Sequence, residues 1–208
     1  MRRRRKDQPF SISYVAKSAD LDDPDQVLTI TNHTDVSVVP TVRLVARNVY
    51  GMELPHVTVQ GVNGLHRGTP MLPARGSLVE HLRFDGPGSA DVRGVEVHLV
   101  EVQEVDHPPL EAPVRVVMID LDQRAVLDPE DFWGIGIANP NPFLVTVRVS
   151  LVAFDERHGD APRQPVDVVT LQEDVDVASN DNEVIWLPED VRGRFELVTH
   201  HLRPQVLV

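Results

Sequence analysis

The sequence predicts an all-β fold, arranged as two tandem antiparallel β-sandwich domains. Residue balance, strand-like spacing and an internal repeat predict it. The chain holds 36 valines against 11 alanines, and β-branched side chains suit a pleated sheet better than a helix. Its 208 residues are 41% hydrophobic and 25% charged, an ordinary globular balance for one large domain or two of about 100 residues each.

The repeat organises the chain. Residues 26–51 and 133–159 each carry an alternating strand that ends at an asparagine, Asn32 or Asn139. A polar turn, a long alternating strand and a glycine, Gly51 or Gly159, follow in both. Leu72–Leu82 is then answered by Val177–Leu187, and Asp-Val-Arg-Gly occurs at Asp91–Gly94 and Asp190–Gly193. The offset drifts from 107 residues at the asparagines to 99 at the tetrapeptides, as loop insertions and deletions produce. These four landmarks in one order read as a duplication.

Element by element, the first copy offers strands at Ser11–Ala16, Val27–Asn32, Pro40–Asn48, His56–Gln60, Leu78–Phe84 and Val95–Val105. The second offers Val114–Asp120, Gly134–Ala138, Leu144–Phe154, Val166–Leu171, Glu183–Leu187 and Arg194–His201. Turn residues separate them, and no 3.6-residue period is sustained. Val145, Val147, Val149 and Leu151 share one face of their strand; near Val152 the parity shifts, predicting a bulge or burial on both sides. Asp128-Pro129-Glu130 reads as an N-cap with proline at the first helical position, so one helical turn is expected before Trp133. Six or seven short strands in about 100 residues is the pattern of an immunoglobulin-like sandwich. The expected organisation is a disordered basic N-terminus over 1–8, sandwiches over 9–105 and 114–208, and a linker over 106–113 that its three prolines stiffen.

In the second copy, Asn139-Pro-Asn-Pro-Phe143 before an alternating strand is similar to the Asn-Pro-Asn turn of LEA14 and water-stress (WHy) domains. Leu151-Val-Ala-Phe-Asp155 with Gly159, a later acidic segment and a closing strand resembles FxLYD-type domains. The first copy departs from both, with Asn32-His-Thr-Asp35 and Val49-Tyr-Gly51 at those places. The resemblance implies a fibronectin-like sandwich with a non-enzymatic role.

Charge narrows the partners. The net charge is −12, yet Arg2–Lys6 carry five positive charges, leaving 15 basic against 32 acidic residues in the rest. A body of −17 repels phosphate backbones, so no nucleic acid is expected beyond a weak role for the basic run. That run leads into Asp7-Gln-Pro9 rather than an apolar segment, which predicts no secretory signal and a cytoplasmic address. The longest stretch without a charge, Phe132–Val147, contains Pro140 and Pro142, so no membrane-spanning helix is expected. With no cysteine, thiol catalysis, disulfides and cysteine-bound zinc fall away.

No catalytic, cofactor-binding or metal-binding residue is assigned. Gly134-Ile-Gly136 lacks the third glycine of a nucleotide loop and sits in a strand pattern, where glycine marks close backbone packing. Asp20, Asp22, Asp23 and Asp25 lack the calcium-loop order. Glu96 and His98 share a strand face and His200-His201 adds a possible pair, but adjacent strand residues point apart and no histidine pair shows the helical i, i+4 spacing of metallohydrolases, so no metal site is assigned. No serine lies in Gly-x-Ser-x-Gly. The pairs Glu101/Glu104 and Glu189/Asp190, and the Glu173/Asp174/Asp176 group, read as solvated strand faces. Trp133 and Trp186 are expected in the sandwich core.

These readings point to a non-enzymatic adaptor or accessory subunit that binds protein partners through its sheet edges, with self-association open. The rivals are a stand-alone stress protein of the LEA14 type, a carbohydrate or small-ligand module, and a hydrolytic enzyme using loop residues.

Overall fold

The computed structural model describes residues 8–18, 25–126, 131–154, 162–196 and 203–207. Strands in antiparallel sheets dominate. The described residues fall into two compact units, one ending at Leu110 and the other starting at Glu111.

The first unit contains β1 (Phe10–Val15), β2 (Val27–Asn32), β3 (Ser37–Arg47), β4 (Thr58–Gly61), β5 (Ser77–Asp85) and β6 (Gly94–Val105). One sheet has the order β1-β2-β5-β4, and β3 and β6 form a second. Alternation in β2 sends Leu28 and Ile30 inward, and both are fully buried. Leu65, Leu72 and Leu82 are fully buried as well. Among the described residues β6 pairs only with β3, and its Leu99 and Val102 stay 37% and 39% exposed although they stand opposite Val42 and Pro40.

The second unit contains β7 (Arg115–Ile119), β8 (Gly134–Asn139), β9 (Val145–Phe154), β10 (Pro165–Val177), β11 (Asp181–Trp186), α1 (Glu189–Glu196) and β12 (Arg203–Leu207). Its sheets run β7-β8-β11 and β10-β9-β12. In β9 every second residue is buried as far as Val149, and from there to Phe154 all are buried. This is the parity shift near Val152 in physical form: a strand with a neighbour on each side that is apolar on both faces. The register against β10 also shifts opposite Ser150 and Val149.

β1-β2-β5 and β7-β8-β11 follow the same order, but the next strand differs. β4 is four residues long and pairs with β5, whereas the 13-residue β10 pairs with β9. The strand expected at Arg194–His201 is replaced by α1 as far as Glu196, and the closing strand begins at Arg203. Glu189 and Asp190 in the first turn of α1 offset its exposed N–H groups, which a strand reading overlooks. The helical turn expected at 128–130, the basic run, Asp20, Asp22, Asp23, His200 and His201 lie outside the described residues.

Candidate docking face

The site is built by register on the outer face of β7-β8-β11. Directly opposed residues share a face, so the pairing lays out three rows. Trp186, Gly134 and Ile119 form the first, Val184, Gly136 and Val117 the second, and Asn182, Ala138 and Arg115 the third. The inward residues of the central strand, Ile135 and Ile137, are buried. The outward ones are glycine, glycine and alanine, which leaves a trough between taller side chains. A concavity of about 330 Å³ lies here, bordered by Val117, Ile119, Val184, Asn182 and Arg115.

The two glycines set the shape of the trough. A Cβ on Gly134 would sit 3.0 Å from both the Ile185 carbonyl and the Trp186 ring, so the missing side chain lets the indole lie down on the sheet. A Cβ on Gly136 would meet Val117 at 3.2 Å. The close backbone approach read from Gly134-Ile-Gly136 is thus present at Gly134, while a side chain leans over Gly136. Trp186 remains 45% exposed, and so does Val117. Its expected place in the core is corrected: β11 is apolar on both parities, and Ile185 rather than Trp186 faces inward. Trp133 is partly buried, with the Arg192 guanidinium 3.4 Å from its ring centroid.

In the first unit the same rows carry taller side chains. Val15, Val27 and His81 form one row, Ser13, Thr29 and Val79 the next, and Ser11, Thr31 and Ser77 the last. The central strand there presents Val27, Thr29 and Thr31, so its face is paved where the second unit's is open.

A buried acid in the first unit escaped the sequence reading. Glu80 is fully buried on β5, sharing its inward parity with Leu78 and Leu82. Its carboxylate accepts the Asn63 backbone N–H at 2.9 Å, the Asn63 side-chain amide at 3.0 Å, and the Leu65 and His81 N–H groups at 3.1 Å. Gly61 makes room, since a Cβ there would lie 2.5 Å from Oε2. Burial pushes the Glu80 carboxyl up to about 7, against the opposing pull of these donors. The legible signal was an acid at a core parity. Three of its four donors come from Asn63 and Leu65, so the carboxylate pins that segment to β5.

The other singled-out residues are dispersed. His98 Nε2 lies 3.2 Å from Glu96 Oε1 on β6, and Glu96 pairs with Arg47, which holds its carboxyl below the usual range. Asp25 is buried and accepts the Ser18 N–H at 2.7 Å. Glu101 and Glu104 are exposed, Asp176 bonds Thr146 across the β9–β10 ladder, and Glu189 and Asp190 open α1. Among the described residues, no three of His, Asp and Glu group to hold a metal ion. No described helix is long and apolar enough to cross a membrane.

No protein-family description matches the sequence, and no curated protein matches it. Among solved structures, the chain is similar to the Pseudomonas aeruginosa CupB2 chaperone at 10% identity, over 87% of this chain and 90% of that one, with a TM-score of 0.21.

Proposed function

We propose that the protein works without catalysis, as a cytoplasmic adaptor or accessory subunit that binds other proteins. The observation that carries this reading is the trough on β7-β8-β11, with the half-exposed Trp186 in the adjoining register row of the same face. Tryptophan beside a desolvatable apolar floor is the composition of a binding hot spot. Strand edges that are unpaired among the described residues, such as that of β6, offer a second mode, in which a partner adds a strand.

The two units are read as immunoglobulin-like sandwiches from one duplicated ancestor, of the kind that LEA14 and FxLYD-type domains resemble. Supporting this, Arg75 and Asn180 occupy matching repeat positions and share a left-handed backbone, with φ of 55° and 53°.

The test is a pull-down from the native host's lysate with a C-terminal tag, run with the wild-type chain and with Trp186→Ala. A protein recovered in fixed ratio by the wild type and lost by the variant is expected. Recovery of the bait alone overturns the adaptor reading and leaves the stand-alone stress protein in the lead.

A further inference from the structure

We infer that the trough on β7-β8-β11 is a site for an extended acidic peptide with alternating apolar residues. The inference rests on the protein-binding reading above and names the chemistry of the partner.

Spacing is the first argument. Successive rows are two residues apart along β8, about 7 Å at the rise of an antiparallel strand. An extended peptide lying along the trough presents every second side chain at that same interval. Width is the second. Val117 and Val184 flank Gly136 from the two neighbouring strands, so their backbones stand about 10 Å apart. Side chains from both walls narrow that gap to roughly one chain. The floor open to an incoming chain runs from Gly136 to Ala138, since the Trp186 ring already covers Gly134.

Charge fixes the end. Arg115 is exposed at the third row and, among the described residues, pairs with no carboxylate. Glu183 also borders the trough, but it stands in register with Ile137 and makes no ion pair with Arg115. A carboxylate on the peptide, two residues beyond the apolar side chain over Gly136, reaches the Arg115 row and gains a charge-assisted bond. At physiological salt the screening length of about 8 Å mutes the rest of the acidic chain more than this contact. The bound pattern is therefore apolar-x-apolar-x-acidic, with the first apolar group against Trp186. The first unit carries Thr29 and Thr31 at the places matching Gly136 and Ala138.

Fluorescence anisotropy on the full chain tests this with a labelled Ser-Leu-Ser-Leu-Ser-Glu-Ser peptide, its reversed sequence, and versions of each with Lys for Glu. One Glu peptide is expected to bind at least tenfold tighter than its Lys counterpart, and Arg115→Glu to invert that preference. Gly136→Val should weaken binding at least tenfold, and Arg115→Glu guards against a folding defect because the side chain is exposed. Equal affinity for Glu and Lys peptides, no binding of either, or binding of octanoate without the peptide each overturns the assignment. A lysate partner retained by the Arg115→Glu chain would overturn the acidic-peptide assignment while sparing the adaptor reading.

Discussion

Asn32 and Asn139 make the same turn with the same bonds. Each side-chain amide donates to the carbonyl four residues on, Val36 or Phe143, at 2.8 Å. Each side-chain oxygen accepts the N–H two residues on, from Thr34 at 2.9 Å or Asn141 at 3.0 Å. Each amide also reaches across to the segment before the next sheet strand, to Pro73 in one unit and to Val177 at the end of β10 and Ala178 just after it in the other. Both asparagines are 1% exposed, so they tie a turn and a distant segment together inside the protein.

Removing either therefore strands buried carbonyls and N–H groups. Asn32→Ala and Asn139→Ala should each cost about 1–3 kcal/mol, the penalty for buried groups left unmade. Urea unfolding is the measurement, and a loss below about 0.5 kcal/mol would mean that water replaces the bonds.

Glu80 makes stability depend on pH. Its folded pKa of about 7 lies above the ordinary glutamate value, so the folded state binds the proton more tightly than the unfolded chain. The contribution is then fully present below the unfolded value and is lost as pH rises through 7. Its size is about 3 kcal/mol by linkage. Denaturation of the wild type should show stability falling between about pH 4.5 and 7. Glu80→Gln should flatten that slope, and an unchanged slope would remove Glu80 as its source.

Val27–Asn32 forms as read and Gly134–Ala138 extends by one residue, because alternation and a terminal asparagine leave a strand little choice. Parity could not decide what faces solvent in β11, where Val184, Ile185 and Trp186 are all apolar. The trough was hidden for a related reason: it is made of side chains that are missing, and strand glycines read equally as packing. At Asp190–Gly193 the repeat misled. Asp91–Gly94 leads straight into β6 after a single 3-10 turn at Ser89–Asp91, whereas from Asp190–Gly193 the helix continues to Glu196.

The paired left-handed residues allow a comparison within one molecule. Asparagine tolerates this region better than arginine, and Arg75 gains only a solvent-exposed pairing with Asp35, at 2.7 Å from Nε. Arg75→Asn should raise the urea midpoint slightly. A lowered midpoint would show that the ion pair outweighs the backbone strain.

Trp133 reports on α1. The Arg192 guanidinium lies over its ring, and the Arg192 N–H bonds the Pro188 carbonyl at 3.0 Å, which fixes the helix start beside β8. Arg192→Met keeps an unbranched side chain but removes the charge, so it should cost about 0.5–1 kcal/mol, the range of a partly exposed cation–π contact. In a Trp186→Phe background Trp133 is the sole tryptophan, and its fluorescence maximum, excited selectively over tyrosine, should shift when the cation is removed. If neither the emission nor the unfolding midpoint changes, the stacking does not hold in solution and α1 is anchored by its other contacts.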